Sequence, residues 1–221
     1  MCGRFAVTLP VEAMAKLFAA LPGNDLVGAE NYNVCPTTEI AVAQSEGGVR
    51  RLRPMRWGFV PHWYKTPTDG PLLINARAET IAEKPAFRVA CRERRCLIAI
   101  DGFYEWKAEE NGKQPFYVSR ADGAPMVMAG VWQDWEREGL HLTTCAIVTT
   151  EANADLAPIH HRMPVVLEPE DWALWLGEAG HGAARLMVAG PERRLKNWKV
   201  ARAVNSNRAS GPELRAPLEQ Q

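Results

Sequence analysis

Cys2 is the residue whose type and position point most directly to chemistry, because it becomes the amino terminus when Met1 is removed. Its α-amine and thiol then lie on neighbouring carbons, with ordinary pKa values of about 7.7–8.0 and about 8.5, so both react near neutral pH. Such a pair attacks an aldehyde twice, first as an imine and then as a five-membered thiazolidine, whereas the thiol alone attacks an acyl group. Gly3 allows a ligand to approach closely, and Arg4 offers a partner for a phosphate or carboxylate. The alternative interpretation is a buried second residue without a chemical role.

Other polar residues stand in apolar or turn-like surroundings that suit acid–base or binding chemistry. Glu105 lies within the apolar segment DGFYEW, where desolvation raises the pKa of a carboxylate and suits it to proton transfer. His160, in PIHHRMPVV, is a candidate for acid–base or hydrogen-bonding work. Asn75 and Arg77, in INARAET, and also Arg162 are candidates for binding a sugar and phosphates. Each has a structural alternative: a solvated glutamate, a turn histidine, or turn capping with surface ion pairs.

Composition narrows the class of protein. A chain of 221 residues with 47% hydrophobic and 24% charged residues suits one globular domain, and excludes disordered, collagen-like and coiled-coil proteins. Lys plus Arg equals Asp plus Glu at 26 each, which excludes a globally basic nucleic-acid packer but leaves room for a local basic groove. No apolar run reaches the ~18 residues of a membrane span, and the first residues do not resemble a secretion signal, so we expect a cytoplasmic protein.

Several kinds of site find no support in the sequence. The five cysteines are odd in number and irregularly spaced, so they form neither a disulfide framework nor a C-x-x-C metal pair. P-loop, G-x-G-x-x-G, H-E-x-x-H and G-x-S-x-G motifs do not occur. Nucleotide hydrolysis, zinc proteolysis and serine esterase chemistry are therefore unsupported.

The elements that must position these residues are mainly strands. Residues 2–8 predict a first strand, and PVEAMAKLFAALPG predicts a helix with its apolar residues on one face. The turn signals EGG, ENGK and REG separate strand-like segments and predict three β-hairpins. NARAETIAEKPAF predicts an irregular or helical piece, EPEDWALWLG a helix and LKNWKVARAVNS a last strand. We therefore predict an α+β fold, a single domain over residues 1–221, with mainly antiparallel sheet, a barrel-like core, peripheral helices and a mobile tail over 209–221.

Nine short motifs run in order through nearly the whole chain. They are MCGRF at 1–5, YNVCPT at 32–37, MRWGFVPHW at 55–63, INARAET at 74–80, RRCLIAIDGFYEWK at 94–107, AGVWQ at 129–133, TTEAN at 149–153, IHHRMPVVL at 159–167 and VNS at 204–206. Each is weak alone, but the ordered set resembles the SRAP family, named for SOS response-associated peptidases. Two positions depart from the family pattern: His161 stands where a smaller or acidic polar residue is expected, and Ala99-Ile100 where Pro-Ala is common.

The resemblance implies the processing of abasic sites in single-stranded DNA during the DNA damage and SOS responses. In the family, the mature N-terminal cysteine captures the ring-opened aldehyde of an abasic deoxyribose as a stable thiazolidine crosslink, which shields the lesion. It follows by resemblance that Cys2 is the nucleophile and that Asn75 positions the amine and the sugar. By the same resemblance, Glu105 moves protons during imine formation and ring closure, and His160 assists opening of the sugar ring.

The resemblance also sets expectations for binding, cofactors and partners. Arg4, Arg77 and Arg162 fall in matched motifs and are the candidates for contacts to DNA phosphates. The implied chemistry is lyase-like, through a Schiff base, and largely stoichiometric. Met1 is removed by an aminopeptidase or by autoproteolysis, whereas peptidase activity on other proteins is not expected. Because the DNA sugar supplies the electrophile, we expect no cofactor and no metal. We expect a monomer that binds single-stranded DNA containing abasic sites, binds no membrane, and is associated with the nucleoid when it is bound to DNA.

Two other functions compete with this interpretation. An N-terminal-nucleophile cysteine amidohydrolase or peptidase would use Cys2 on an amide, and class II glutamine amidotransferases also begin Met-Cys-Gly. Asn111-Gly112 supplies their Asn-Gly pair only inside a hairpin turn, and no Arg-Gly-Pro-Asp loop occurs. A non-covalent single-stranded DNA-binding module would keep full function in Cys2→Ala. Trp57, Trp63, Trp106 and Trp132 lie in strand-like or loop segments rich in arginine, where each either packs in the core or against the surface or offers a platform for stacking bases.

Overall fold

Strands make up most of the computed structural model, which describes residues 2–23, 25–26, 28 and 30–218. Within these residues the strands are β1 (Arg4–Val7), β2 (Leu21–Pro22), β3 (Asn31–Val34), β4 (Glu39–Glu46), β5 (Val49–Trp57), β6 (Asn75–Arg77), β7 (Arg95–Ile100), β8 (Gly102–Glu109), β9 (Gly112–Arg120), β10 (Met126–Arg137), β11 (Leu140–Glu151), β12 (Arg162–Pro164) and β13 (Leu195–Lys199). The α-helices are α1 (Val11–Phe18), α2 (Arg88–Glu93) and α3 (Trp172–Leu176). Short 3-10 helices cover Pro169–Asp171, Ala183–Leu186, Arg202–Asn205 and Pro212–Arg215.

A closed ring of five strands forms the core. β11 pairs with β10, β10 with β7, β7 with β4 and β4 with β5, all in antiparallel register. β5 then returns to β11 through a short parallel pairing that places Trp57 opposite Cys145 and closes the ring. A second, antiparallel sheet has the strand order β13-β9-β8-β1-β3. The predicted α+β fold with a barrel-like core is therefore confirmed.

The two faces of the barrel wall pack against different partners. One face meets the second sheet, where the rings of Phe5 and Trp57 have centroids 4.8 Å apart. The opposite face meets α1 and the helical segment 169–176, where the rings of Phe18 and Trp172 lie 5.1 Å apart. Each strand of the wall contacts both the second sheet and the helical segments because its successive side chains point to opposite faces. Cys2 belongs to the apolar layer between the barrel and the second sheet.

The three predicted hairpins are confirmed as β4–β5, β8–β9 and β10–β11, but other elements differ from their predictions. NARAETIAEKPAF begins with a strand, β6, which pairs in parallel with β11. The predicted last strand ends at Lys199 and is followed by the 3-10 helix Arg202–Asn205. The helix predicted in EPEDWALWLG divides into a 3-10 turn and the short α3. Parallel pairing with a distant strand leaves no local signal, which explains why β6 was not predicted.

Much of the predicted tail packs against the second sheet. Leu214 is 2% exposed and lies in a cluster with Tyr104 and Tyr117, and Arg215 forms an ion pair with Asp101 at 3.1 Å. Residues 219–221 lie outside the described residues, so the mobility of the tail and the extent of the domain stay predictions. In the part of the chain that the structure describes, no helix combines the length and the apolarity that crossing a membrane requires.

Gly130 provides a test of how tightly the barrel wall is packed. It lies on β10 between Cys96 of β7 and Ile147 of β11. A Cβ atom at Gly130 would lie 2.8 Å from Cys96 Sγ and 3.1 Å from Ile98 Cδ1. Because overpacking a core costs about 1–3 kcal/mol, we expect Gly130→Ala to lower the free energy of unfolding by that amount in urea denaturation.

Gly190→Ala is the matched control for this substitution. A Cβ atom at Gly190 meets no heavy atom of the described residues within 4 Å. We therefore expect Gly190→Ala to unfold at the wild-type urea concentration. Equal stability of Gly130→Ala and Gly190→Ala would show that the wall yields to an added methyl group.

Candidate active site

Cys2 lies two residues before β1 and is 1% exposed. Its main-chain carbonyl accepts a hydrogen bond from Asn75 Nδ2 at 2.9 Å. Burial, and after it the negative charge of Glu105, raises the pKa of the Cys2 thiol well above its ordinary value. The thiol is therefore protonated at neutral pH, and it needs a nearby base before it can act as a nucleophile.

Asn75 owes its position to the pairing of β6 with β11, in which it lies opposite Ile147. Its amide nitrogen is occupied by the Cys2 carbonyl. Its Oδ1 atom is buried and accepts no hydrogen bond from the described residues. Since buried amide oxygens normally find a donor, Oδ1 is suited to accept a hydrogen bond from an amine or hydroxyl beside Cys2.

Glu105, on β8, and His160, two residues before β12, line one cavity of about 430 Å³. Glu105 is 3% exposed, and its Oε1 accepts a hydrogen bond from the main-chain N–H of Trp106 at 3.1 Å. The main-chain N–H of Arg162 donates to His160 Nδ1 at 2.9 Å, so the neutral imidazole carries its proton on Nε2. Burial lowers the pKa of His160, while the charge of Glu105 acts in the opposite direction. The site therefore holds a neutral imidazole near a buried carboxyl group.

Three further residues line this cavity: Trp106, Lys113 and Asn205. Trp106 Nε1 donates to Asn205 Oδ1 at 2.8 Å, which fixes the indole next to Glu105. Lys113, on β9, adds a positive charge. The sequence signals for Lys113 and Asn205 were the ENGK turn and the VNS motif, neither of which indicated a role in this cavity.

The tryptophans proposed as stacking platforms differ in accessibility. Trp57 is fully buried, and its Nε1 donates to the Ile74 carbonyl at 3.0 Å, so of its two interpretations core packing is correct and base stacking is excluded. Trp63 is 43% exposed, and Trp106 and Trp132 are half-buried. A stacking role therefore stays a prediction for those three residues only.

Arg77 and Arg4, two of the three predicted phosphate ligands, differ in how freely they can contact DNA. Arg77 is exposed at the end of β6, two residues after Asn75. Arg4 donates through Nη1 to Asn33 Oδ1 at 2.7 Å and to the Val204 carbonyl at 2.8 Å. Arg77 can thus bind a phosphate without losing a side-chain hydrogen bond to the described residues, whereas Arg4 would have to share its guanidinium.

Arg162, the third predicted phosphate ligand, is 6% exposed and forms an internal ion pair. Its guanidinium donates to both carboxylate oxygens of Glu79, at 2.8 and 2.9 Å, and to the Thr149 carbonyl at 2.8 Å. The hydrogen bonds from Arg162 lower the pKa of Glu79 to about 2. This pair fastens the start of β12, which follows His160, to the segment that follows Asn75. A phosphate contact by Arg162 stays a prediction and requires the ion pair to be shared or broken.

The arrangement supplies a thiol, a carboxyl group, a neutral imidazole and an amide around the start of the chain. Among the described residues, no group of three or more His, Cys, Asp or Glu side chains is placed to hold a metal ion. What these groups can do is move protons between a bound molecule and the amine or thiol of a residue at the amino terminus. Their catalytic roles stay predictions.

Glu79→Gln tests the strength of the Arg162–Glu79 pair. We expect a loss of about 1–2 kcal/mol in unfolding free energy at pH 7, a modest value because the Glu79 side chain is 43% exposed. The folded-state pKa of Glu79, about 2, lies below its ordinary value of 4.5. The stabilisation is therefore complete above pH 4.5 and is lost as the pH falls towards 2.

Chemical denaturation of wild type and Glu79→Gln over pH 7 to 2.5 measures this effect. The stability difference between the two proteins should shrink steadily below pH 4.5. Glu83→Gln, an exposed substitution in the same segment, is the control and should match wild type throughout. A Glu79→Gln deficit that does not change with pH would show that the loss is not electrostatic.

Comparison with known proteins connects this chain to a family. The family model described as "SOS response associated peptidase (SRAP)" matches residues 1–207. Abasic site processing protein YoqW of Bacillus subtilis is 34% identical over 222 residues, which cover 97% of this chain and 98% of that protein. Abasic site processing protein YedK of Escherichia coli is 34% identical over 228 residues, which cover 99% of this chain and 100% of that protein.

Solved structures agree with the fold. A crystal structure of a protein from Bacteroides thetaiotaomicron superimposes with a TM-score of 0.87 at 24% identity, covering 98% of this chain and 100% of that one. A phage-related protein from Bordetella bronchiseptica gives a TM-score of 0.70 at 29% identity, covering 90% of this chain and 94% of that one. With the family model matching 1–207 and relatives at 34% identity along nearly their whole length, this chain belongs to the SRAP family.

Proposed function

We propose that this protein processes abasic sites in single-stranded DNA by forming a covalent thiazolidine crosslink through the mature amino terminus at Cys2. The observation that carries the proposal is the hydrogen bond from Asn75 to the Cys2 carbonyl, together with the cavity lined by Glu105 and His160. The names of the relatives supply the substrate, since YoqW and YedK are both called abasic site processing proteins. Removal of Met1 is required, because only then does Cys2 carry a free amine beside its thiol.

The first chemical step opens the sugar. The abasic deoxyribose is a cyclic hemiacetal, which loses the proton of its C1′ hydroxyl and gains a proton on O4′ as the C1′–O4′ bond breaks. The products are a C1′ aldehyde and a 4′ hydroxyl. His160 assists by donating a hydrogen bond from Nε2 to O4′, because its Nδ1 already accepts the Arg162 N–H. Glu105, on the wall of the same cavity, accepts the hydroxyl proton and delivers it to O4′, so the imidazole keeps its own proton.

The second stage joins protein and DNA. The Cys2 amine adds to the C1′ aldehyde, Glu105 carries the two amine protons in turn to the aldehyde oxygen, and loss of that oxygen as one water gives an imine. Glu105 then accepts the proton of the neutral Cys2 thiol and passes it to the imine nitrogen as the sulfur adds to C1′. The ring that results contains sulfur, Cβ, Cα, nitrogen and C1′. The net reaction is protein plus DNA minus one water, and it consumes no cofactor.

Single-strand binding is the second part of the proposal. A chain with no net charge must attract DNA through a local group of cations. Arg77, two residues after Asn75, and Lys113, on the cavity wall, are exposed cations, and Trp106 offers a stacking surface. Action as a monomer in the cytoplasm stays a prediction, and we do not propose peptidase activity on other proteins.

Intact mass spectrometry tests the crosslink directly. The protein lacking Met1, mixed with single-stranded DNA bearing one abasic site, should give a heat-stable adduct of protein plus DNA minus one water. Cys2→Ala should give no stable adduct, because the thiol is needed to close the ring. Glu105→Gln should form the adduct at least ten-fold more slowly, consistent with the loss of a general acid–base group.

Two outcomes would overturn the covalent proposal. Processed wild-type protein that forms no adduct would direct attention to glutamine hydrolysis, and then to non-covalent binding. Stable adduct in Cys2→Ala would show that another nucleophile reacts. Protein that retains Met1 serves as the control and should not form a thiazolidine, because the Cys2 nitrogen is then acylated and the free amine of Met1 is three bonds further from the thiol.

Arg77→Gln and Lys113→Gln test the binding surface. If each side chain neutralises one phosphate, each substitution should weaken binding of single-stranded DNA and reduce the slope of log affinity against log salt by about 0.7. Fluorescence anisotropy on undamaged single-stranded DNA at several salt concentrations measures this without crosslinking. Arg88→Gln, which removes an exposed charge on α2, is the matched control. Salt slopes of Arg77→Gln and Lys113→Gln equal to that of the control would show that the DNA binds to another surface.

A further inference from the structure

His160 and His161 form a stacked pair of imidazoles beside the cavity. Their ring centroids are 4.4 Å apart and their planes are inclined by 24°. His160 is half-buried and lines the cavity, whereas His161 is exposed to solvent. The main chain holds this arrangement, because the Arg162 N–H donates to His160 Nδ1 and the His161 carbonyl accepts from the Ala152 N–H at 3.0 Å.

We propose that His161 is a positioning residue that acts through His160, and that its positive charge keeps the neighbouring imidazole neutral. The consequence for the reaction rests on the proposed function, but the electrostatic argument does not. A positive charge on one ring of a stacked pair opposes a second positive charge on the other, and His161 is the ring that is open to solvent. At a separation of 4.4 Å this opposition displaces the titration of the inner ring by about half a pH unit to one unit even in a water-like medium.

The other charges around His160 explain why this opposition matters. Glu105 of β8 draws a proton onto His160, and the amino terminus of the chain opposes it. Lys113 of β9 lines the same cavity, and the guanidinium of Arg162 is engaged by Glu79. Burial is the largest cause of the lowered pKa of His160, and the charge of His161 adds to it.

The balance between the attraction of Glu105 and the opposition of His161 determines whether His160 or Glu105 holds the proton in the resting site. Without His161, less opposes the attraction of Glu105, and an imidazolium–carboxylate pair forms at a higher pH than in wild type. In such a pair the carboxylate is bound to the imidazolium. It is then less able to accept a proton from the substrate. With His161 in place, the imidazole stays neutral over a wider pH range and Glu105 remains able to exchange protons. His161 thus acts on the protonation of His160 and touches no reacting atom.

Titration of the His160 ring by NMR tests the inference without DNA. Relative to wild type, the His160 pKa should rise by about half a unit to one unit in His161→Gln and further in His161→Glu. His161→Lys restores a fixed positive charge and should bring the value back to that of wild type or below it. His181→Gln, which removes another exposed histidine, is the matched control. An unchanged His160 titration in His161→Gln would overturn the proposal.

The rate of crosslinking as a function of pH then tests the consequence for the reaction. The inflection that belongs to His160 should move to higher pH in His161→Gln by the amount seen in the NMR titration, and His161→Lys should reverse the shift. A uniform loss of rate at every pH would instead indicate a purely structural role and contradict the proposal. Wild-type protein that forms no adduct at any pH refutes the proposed function, and the NMR titration alone then decides the role of His161.

Discussion

Backbone pairing along β11 is the constraint on which the rest of the structure depends. This strand pairs in antiparallel register with β10 and β12, and in parallel register with β5 and β6. Pairing with β5 closes the barrel, pairing with β6 presents Asn75 to Cys2, and pairing with β12 fixes the segment that follows His160. A shift of one residue between β6 and β11 would turn the Asn75 side chain to the opposite face, and the hydrogen bond to the Cys2 carbonyl would be lost.

Burial then sets the protonation states within the site. The apolar layer between the barrel and the second sheet surrounds Cys2 and raises the pKa of its thiol, and burial lowers the pKa of His160. Both effects favour the neutral form, so the site begins with an unionised thiol and an unionised imidazole. A nucleophile held neutral cannot react until a proton is taken from it, which gives the carboxyl group of Glu105 its importance. An exposed cysteine would ionise more readily but would also react with competing electrophiles.

Sequence reasoning succeeded where the signal is local or is carried by residue type. The hairpins followed from turn residues between strand-like segments. Cys2, Asn75, Glu105 and His160 stood out by position and by family resemblance, and their catalytic roles stay predictions. Pairings between distant strands carry no local signal, so β6 was interpreted as irregular or helical. The same limit applies to side-chain partners, because no pattern around Arg162 shows that Glu79 occupies its guanidinium. Lys113 was seen only as part of a turn, although the fold brings it to the cavity.

The hydrogen bonds that arginine side chains make within the protein affect how a chain without net charge can bind DNA. The guanidinium groups of Arg4 and Arg162 donate hydrogen bonds to Asn33, Val204 and Glu79, and these bonds stiffen the walls of the site. The same groups contribute less to the electrostatic field outside the protein. Walls fixed in this way hold Asn75 and His160 in place, and preorganisation of this kind lowers the cost of binding. Under the proposed function, exposed cations such as Arg77 attract the strand and bind its phosphates. In that function, Arg4 and Arg162 keep the site rigid, while exposed arginines attract the flexible polyanion.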